Sequence, residues 1–185
     1  YDDVMNVQRE IIYKQRREVL DGENLKESIL KMIDSVIETV VFSHVVDEEI
    51  NKETLSQDIM TTFGISELDA LNKDKLKAEE IVEELKTKAH EEYEKKENEI
   101  GEEELRELER VVMLKIVDQK WMDHIDAMDE LKNGIGLRAY GQKDPVVQYR
   151  IEGFDMFDEM IDDIKYDVVN LLLHAHKKEG ITRQE

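Results

Sequence analysis

The first chemistry that a short motif in this chain suggests is phosphate binding. Gly136 and Gly141 are separated by four residues, which is the glycine spacing of a P-loop, whose backbone N–H groups surround phosphates. Gln142 stands where that motif requires lysine, and Asp144 stands near the position of its serine or threonine. A P-loop also joins a strand to a helix, whereas a helical pattern precedes this loop. The sequence therefore argues against nucleotide binding here.

Metal binding by histidine has equally little support in the sequence. His174 and His176 are two residues apart, so a helix directs them to different sides. Neither a His-Glu-x-x-His nor a Glu-x-x-His pattern occurs in the sequence, and those patterns build zinc and di-iron sites. His124 stands near Asp123 and Asp126 on a predicted helix. We therefore interpret all three histidines as ordinary surface or capping residues.

Acid–base chemistry by carboxylates is the next class to consider. Five acidic residues recur at helical spacing late in the chain: Asp155, Asp158, Glu159, Asp162 and Asp163. Paired carboxylates perform such chemistry only where burial and neighbours separate their pKa values. An exposed ridge does not provide that separation, and the central glycine of an EF-hand is missing. We expect a solvated helix face here, and also in the glutamate-rich run between His90 and Arg110.

Contact with another macromolecule is indicated by a predicted loop over residues 133–145. This loop carries Leu137, Arg138, Tyr140 and Lys143. Tyr140 has no periodic partner face to bury it, and an exposed aromatic beside an arginine is a combination that dominates contact energies. The sequence therefore predicts a contact site for a partner. The alternative, in which the Tyr140 ring folds back onto the adjacent helices, stays open.

Two long amphipathic helices must position this loop, because apolar residues repeat at steps of three and four on both sides of it. In the first helix these residues are Leu114, Val117, Trp121, Ile125 and Met128, and in the second they are Val147, Ile151, Phe154, Phe157, Ile161, Ile164, Val168 and Leu171. The loop contains three of the eight glycines and the only proline, so the helices are interrupted there. The sequence predicts a two-helix hairpin with Trp121 packed against Phe154 and Phe157.

The remainder of the chain is also predicted to be helical. Residues 1–44 have the pattern of one long helix, irregular at Asp21 and Gly22, with a wide apolar stripe over residues 25–41. After it come a turn and two shorter helices, at 47–51, 54–63 and 75–98, with breaks at Gly64 and Gly101. Apolar residues from Ile81 to Tyr93 lie on one face of the last of these helices. We predict an all-α fold in which a long helix packs with an antiparallel two-helix hairpin and a small helical domain is inserted between them.

Composition limits the classes of partner. The net charge of −20 argues against nucleic acid and against adhesion to anionic lipid, and it suits a partner with a basic surface. The absence of cysteine removes disulfides and thiolate metal sites. No apolar run approaches the roughly 20 residues of a membrane-spanning helix. The chain begins at Tyr1 in a helical pattern, and we expect it to be a fragment of a larger protein.

Several segments resemble the C-terminal helical region of the SecA family, the ATP-driven motors of bacterial protein export. The matching segments are Tyr1-Asp-Asp-Val-Met-Asn with Gln8-Arg9 and Tyr13-Lys-Gln-Arg16, Trp121-Met-Asp-His-Ile-Asp-Ala-Met-Asp129, Leu137-Arg-Ala-Tyr-Gly-Gln-Lys-Asp-Pro145 and Glu152-Gly-Phe-Asp-Met-Phe157. These matches are long, ordered and spread over most of the chain. Residues 46–100 resemble the family in place and character rather than word for word.

The resemblance implies a division of the chain into named parts. Residues 1–45 would be the long helix of the helical scaffold, and residues 46–100 would be the helical wing domain. Residues 101–176 would form the two-helix finger of the scaffold, with its tip loop at 133–145. Residues 177–185 would begin the C-terminal tail.

The resemblance also implies partners for the fingertip. In the family, the tip loop enters the cytoplasmic mouth of the SecY channel, which includes SecE and SecG, and contacts the unfolded preprotein. The family's tip tyrosine corresponds to Tyr140, and Arg138, Leu137 and Lys143 would assist that contact or dock to the channel. Further implied partners are the motor domains that this sequence lacks, and the resemblance leaves open a SecA homodimer.

The same helix-loop-helix is described in the family as an internal regulator of the motor's ATPase. Trp121, Ile135 and Leu137 lie within the corresponding segment of this chain. This leaves two interpretations of the finger open. In the leading one it is a mechanical and docking module that couples ATP hydrolysis to preprotein movement. In the alternative it docks to the channel and restrains the ATPase without gripping substrate.

The sequence departs from the full family pattern in what it lacks. Walker A and DEAD-type ATPase motifs, the preprotein-crosslinking domain and the cysteine-rich zinc tail are all missing from the sequence. The parent protein would hydrolyse ATP with magnesium, so we expect this chain to have no catalytic residue, cofactor or metal of its own. The resemblance places the parent in the cytoplasm and peripherally on the cytoplasmic face of the cell membrane.

Overall fold

Helices make up most of the chain in the computed structural model, which describes residues 1–22, 24–138 and 144–176. The elements in order are α1 (Asp2–Asp21), α2 (Leu25–Ser43), β1 (Val45–Val46), β2 (Glu49–Ile50), α3 (Lys52–Phe63), a 3-10 helix (Asp69–Asn72), α4 (Ala78–Ile100), α5 (Glu102–Arg138) and α6 (Pro145–His174). The predicted all-α fold is confirmed. The structure also contains one pair of very short antiparallel strands, which the sequence did not predict.

The long helix predicted over residues 1–44 is two helices. Gly22 adopts the left-handed conformation with φ of 70°, and its N–H donates to the carbonyls of Glu18 and Val19, which closes α1. Asn24 is also left-handed, with φ of 57°, and α2 begins at the next residue. A side chain at position 22 would meet the Arg110 guanidinium, because a Cβ there would lie 2.7 Å from Nη2. The prediction of one helix is therefore wrong, although the irregularity was placed correctly.

The predicted turn after α2 is a β-hairpin. Val45 pairs with Ile50 and Val46 with Glu49 across the two strands. Asp47 and Glu48 between them have φ of 51° and 64°, and positive φ at both central residues is what a type I′ hairpin turn requires. The hairpin thus reverses the chain between α2 and α3.

The start of α3 has an N-cap that the sequence analysis did not identify, whereas the breaks after α3 and α4 follow the predicted glycines. The Asn51 side chain accepts a hydrogen bond of 3.1 Å from the Thr54 N–H at the start of α3, as an N-cap does. Gly64 ends α3 in the left-handed conformation with φ of 70°, and Gly101 separates α4 from α5 with φ of 104°. Both predicted breaks are confirmed, because glycine adopts these angles without the steric cost that other residues carry.

The chain forms two compact units. The first comprises the described residues of Tyr1–Glu23 and Arg110–Asp167, and the second comprises those of Asn24–Glu109 and Val168–Glu185. Two long helices contribute to both units, since α5 and α6 each span a boundary between them. The division into scaffold helix, wing and finger stays a prediction.

The core of the second unit has the predicted composition. Most of its largest fully buried side chains come from one face each of α2, α3 and α4: Ile29, Ile33, Ile37, Leu55, Ile59, Ile81, Leu85 and Tyr93. Within each helix these residues recur at steps of four or eight, which keeps them on one side. The apolar faces predicted for 25–41 and 81–93 are confirmed.

The first unit contains a helical hairpin, made of residues 110–138 of α5 and 145–167 of α6, with α1 packed against both. Contacts between the two arms run in opposite order along the chain. Lys120 Nζ lies 3.0 Å from an Asp167 carboxylate oxygen, and a Cβ at Gly153 would lie 2.6 Å from Met128 Cε. Nearer the loop, Ile135 and Tyr149 share one buried cluster with Met128. The predicted antiparallel hairpin is confirmed.

The predicted inner face of α6 is partly wrong. Val147, Ile151 and Phe154 are exposed, Phe154 by 65%. Phe157, Ile164 and Val168 are buried as predicted, and Tyr149, Gly153 and Met160 join them on the buried face. The pattern of large apolar residues misplaced part of the face because one close contact between the arms occurs at Gly153, and glycine carries no hydropathy signal.

The predicted loop is shorter than residues 133–145. Helix α5 continues to Arg138, so Gly134 and Gly136 are helical, although glycine costs about 1 kcal/mol relative to alanine in a helix. Burial of Ile135 between them stabilises that last stretch. At the other side α6 begins with Pro145, and the Asp144 side chain accepts a hydrogen bond from the Val146 N–H. The helix therefore starts with a proline at its first position, where proline fits.

Candidate functional site

The described part of the predicted contact site is Leu137. It lies in the last turn of α5 with 84% of its surface exposed. Arg138 is the final residue of that helix, but its side chain, Tyr140 and Lys143 lie outside the described residues. The structure thus places one of the four predicted contact residues at the open end of the hairpin, and the roles of all four stay predictions.

The hairpin is packed up to its loop. Ile135 is fully buried, two residues before exposed Leu137, and residues two apart point to different sides of a helix. On the other arm Tyr149 is buried, and its ring meets the Tyr1 ring edge-on at 4.8 Å between centroids. Apolar burial therefore fixes both arms close to the loop, and Leu137 points away from that packing.

Two residues assigned by resemblance to the ATPase-regulating segment lie inside the first unit. Trp121 and Ile135 are both buried, and the Trp121 ring lies beside the His124 ring at 5.5 Å. Trp121 was predicted to pack against Phe154 and Phe157. Phe157 is buried and also contacts the His124 ring. Phe154 is exposed, so the prediction is wrong for that residue.

His124 is the clearest residue that the sequence analysis misjudged. It was interpreted as a surface or capping residue, but only 5% of it is exposed. Its Nε2 lies 2.7 Å from Gln8 Oε1 on α1, and burial lowers the pKa of the imidazole. One signal was available, because His124 follows Trp121 by three residues and precedes Met128 by four, which places it on the apolar stripe.

A second buried polar cluster lies in the second unit, within the run predicted to be a solvated face. Glu109 is fully buried and accepts a hydrogen bond from the Tyr93 hydroxyl. Arg106 Nε lies 3.4 Å from Glu109 Oε1, and Arg106 also pairs with Glu97. Burial raises the pKa of Glu109, which the Tyr93 hydrogen bond and the charge of Arg106 oppose.

Lys26 on α2 extends this cluster. Its Nζ lies 2.9 Å from Glu97 Oε1 and also pairs with Glu94, and these hydrogen bonds raise the pKa of the ammonium. The solvated-face prediction is therefore wrong at Glu97 and Glu109. Sequence spacing alone did not show that Tyr93, on the buried stripe of α4, would direct its hydroxyl at a glutamate of α5.

The remaining candidates for chemistry lie at the surface. The acidic residues of α6 at 155, 158, 159, 162 and 163 are exposed, as predicted. His174 and His176 are exposed too, which confirms their surface assignment. Within residues 1–22, 24–138 and 144–176, no group of three or more histidine, aspartate or glutamate side chains is arranged to hold a metal ion. None of the helices described there combines the length and apolar character that a membrane crossing needs.

Comparison with known protein families identifies the family to which this helical arrangement belongs. The family model described as the SecA wing and scaffold domain matches residues 1–176, which include the described residues of both compact units. The chain belongs to the SecA wing and scaffold domain family. The family resemblance found in the sequence is thereby confirmed.

Individual relatives agree with the family assignment. The protein translocase subunit SecA of Clostridium acetobutylicum is 50% identical over 191 aligned positions, which cover 100% of this chain and 22% of the relative. Its counterpart in Clostridium botulinum strain Loch Maree is 52% identical over 192 positions, covering 100% of the chain and 23% of the relative. The SecA subunit of Caldicellulosiruptor saccharolyticus is 48% identical over 198 positions, with the same two coverages. The chain thus spans less than a quarter of the length of these relatives.

Proposed function

We propose that this chain is the mechanical and docking module of a SecA-type protein translocase. Its hairpin would couple ATP hydrolysis elsewhere in the parent protein to the movement of an unfolded preprotein into the SecY channel. The observation that carries the proposal is the packed hairpin of the first unit, which ends in exposed Leu137 beside the loop that contains Tyr140. Family membership supplies the setting for that geometry.

Packing along the hairpin supports a mechanical role. A segment that transmits displacement must not bend at its joints, and the two arms are tied at several levels, from the Lys120–Asp167 ion pair to the buried cluster of Met128, Ile135 and Tyr149. Protein interiors of this kind have low compressibility and transmit strain. A displacement of α1 would therefore be transmitted to the loop with little loss of amplitude.

The loop chemistry supports contact with an extended polypeptide. Leu137 and Tyr140 offer apolar and aromatic surface, and Arg138 and Lys143 offer charge and hydrogen-bond donors. Aromatic and arginine side chains contribute strongly to contact energies while accepting varied partners. Such a set suits a substrate whose sequence changes as it passes, and it suits docking at a channel mouth.

In this proposal the chemistry of ATP belongs to the rest of the parent protein. ATP and magnesium would bind motor domains outside this chain, and the chain itself would catalyse no reaction. Its partners would be those domains, the channel of SecY, SecE and SecG, and the unfolded preprotein. The parent would act in the cytoplasm and on the cytoplasmic face of the membrane.

A second candidate is a docking module that restrains the ATPase without gripping substrate. The burial of Trp121 and Ile135 favours it, because Ile135 belongs to a buried cluster that includes residues of α1, and Trp121 is also buried. A change in the hairpin would then alter the packing of α1, and α1 would transmit that change to the motor domains.

Replacement of Tyr140 in the full parent protein tests the proposal. We expect Tyr140→Ser to reduce preprotein transport several-fold while ATP binding is unchanged. Ile151→Ser, at an exposed position on the α6 arm, is the matched control and should leave transport intact. Unchanged transport in Tyr140→Ser would contradict gripping, and unchanged transport with raised basal ATPase would favour the second candidate.

A further inference from the structure

Two buried polar side chains interrupt the apolar core of the first unit. Gln8 on α1 and His124 on α5 are each 5% exposed, and they are the buried polar residues in the described part of this unit. They contact each other rather than separate partners, since His124 Nε2 lies 2.7 Å from Gln8 Oε1. The Gln8 amide also donates from Nε2 to the Gly153 carbonyl of α6 over 3.2 Å. One continuous chain of hydrogen bonds therefore joins three helices.

The donor and acceptor of both hydrogen bonds are determined by the Gly153 carbonyl, which ends the series. A backbone carbonyl only accepts, so the Gln8 NH2 group must face Gly153, and the Gln8 oxygen must then face His124. An amide oxygen also only accepts, so the nitrogen of His124 that faces it must carry a proton. Burial lowers the pKa of His124, which favours a neutral ring with its proton on Nε2.

Glycine at position 153 makes the arrangement possible. A Cβ there would lie 2.6 Å from Met128 Cε on α5 and 3.8 Å from Val4 Cγ1 on α1. Helix α6 therefore lies close to both neighbours at the residue whose carbonyl receives the Gln8 amide. A larger residue there would force the buried Met128 side chain to move.

We propose that Gln8, His124 and the Gly153 carbonyl form a register lock that fixes the axial position of α1 and α6 against α5. The apolar contacts around them are non-directional, so a displacement by one helical turn, about 5.4 Å, would preserve much of their burial. The same displacement would leave a buried amide and a buried imidazole without partners, which is strongly disfavoured. Buried polar residues specify register in this way in other helical assemblies.

The lock has a consequence for the hairpin loop, which rests on the proposed function. Register between α1 and the two arms determines where the loop lies for a given position of α1. Gln8 and His124 are then positioning residues for Tyr140, although neither touches a substrate. The lock itself concerns the 185-residue chain and is testable without any transport assay.

Distance measurement between spin labels tests the lock directly. The chain has no cysteine, so Ile11→Cys on α1 and Ile151→Cys on α6, both exposed, accept labels at unique sites. We expect one narrow distance distribution in the otherwise unchanged chain. In Gln8→Leu/His124→Leu we expect a second population displaced by several ångström. Gln15→Leu and Gln119→Leu, at exposed positions of the same helices, are matched controls and should keep the single population.

A conservative variant covers the case in which the double leucine variant does not fold. His124→Gln retains an N–H donor for Gln8 and should keep the single narrow distribution. Nitrogen NMR of the unchanged chain should show His124 with its proton on Nε2. A single unchanged distribution in Gln8→Leu/His124→Leu would overturn the lock. So would displacement in His124→Gln, or a proton on Nδ1 alone.

The same double variant in the parent protein separates the lock from the proposed function. We expect reduced preprotein transport with unchanged nucleotide binding. A displaced register with normal transport would leave the lock in place and contradict the coupling of the hairpin to substrate movement. An undisplaced register would reject the lock whatever happens to transport.

Discussion

The Tyr93 hydroxyl donates a hydrogen bond to the Glu109 carboxylate, although both side chains lie in the interior of the second unit. This bond joins α4 to α5, with Tyr93 before the turn at Gly101 and Glu109 after it. Removing a carboxylate from water is costly unless hydrogen bonds and opposite charge compensate. Tyr93 and Arg106 provide part of that compensation, with the Arg106 Nε lying 3.4 Å from the second carboxylate oxygen. The pair therefore stabilises the junction only while both partners are present.

Removal of the Tyr93 hydroxyl should destabilise the chain. Tyr93→Phe keeps the buried ring but leaves the Glu109 oxygen without its donor, so we expect the free energy of unfolding to fall by about 1–3 kcal/mol. Urea denaturation measures this change. Tyr13→Phe, at an exposed tyrosine, is the control and should change stability little. An equal effect of the two substitutions would contradict the importance of the Tyr93–Glu109 bond.

Neutralising Glu109 should change how stability depends on pH. Burial raises the pKa of this carboxyl above its ordinary value of 4.5, so the folded chain binds the proton more tightly than the unfolded chain does. Ionisation consequently lowers stability as pH rises from 4.5 through the folded pKa. Glu109→Gln retains an acceptor for Tyr93 and lacks this effect. The unfolding free energy of the unchanged chain should fall relative to Glu109→Gln over that window, and a constant difference would refute the assignment.

His124 should produce the opposite pH dependence. Burial lowers the pKa of His124 in the folded chain below its ordinary value of 6.5. Between the folded pKa and 6.5, the unfolded chain therefore binds a proton that the folded chain does not. The stability from neutral His124 is present above pH 6.5 and is lost as pH falls below it. Subtracting the stability of His124→Gln at each pH isolates this contribution from the other histidines. If the unchanged chain instead gained stability relative to His124→Gln as the pH fell, the predicted direction of the pH dependence would be wrong.

Glycine positions in the hairpin should respond to alanine with opposite signs. A Cβ at Gly136 meets no atom within 4 Å, so Gly136→Ala should raise the free energy of unfolding by about 0.5–1 kcal/mol. A Cβ at Gly153 overlaps Met128, which is itself fully buried, so overpacking of about 1–3 kcal/mol should exceed the helical gain. Thermal denaturation of both variants checks the contrast. Stabilisation by Gly153→Ala equal to that of Gly136→Ala would mean that the arms do not approach closely there.

Sequence patterns predicted the second unit better than the first, for a physical reason. The faces of α2 and α4 carry large aliphatic residues such as Ile29, Ile33 and Leu85, and these are also the residues that the structure buries. The inner face of α6 depends on Gly153 and Tyr149, whose importance lies in close approach and in a ring contact. A search for apolar periodicity does not register either effect.

Polar residues in the interior were harder still to predict. Glutamate is a residue type that is usually exposed, and histidine is intermediate. Glu109 and His124 are nevertheless buried, and each has a hydrogen-bond partner distant in sequence. The partners, Tyr93 and Gln8, become apparent only when the helices are assembled. The contact chemistry of the loop was predicted from Tyr140 and its neighbours, of which Leu137 is the described example.

Crosslinking from the fingertip tests the central proposal most directly. Tyr140→Cys in the full parent protein, otherwise free of cysteine, would be combined with a preprotein arrested during transport and with the SecY channel. Ile151→Cys, exposed on the α6 arm, provides the matched control. The proposal predicts a crosslink from position 140 to the arrested preprotein that position 151 does not form. Crosslinks from position 140 to the channel alone would contradict gripping and favour a docking role.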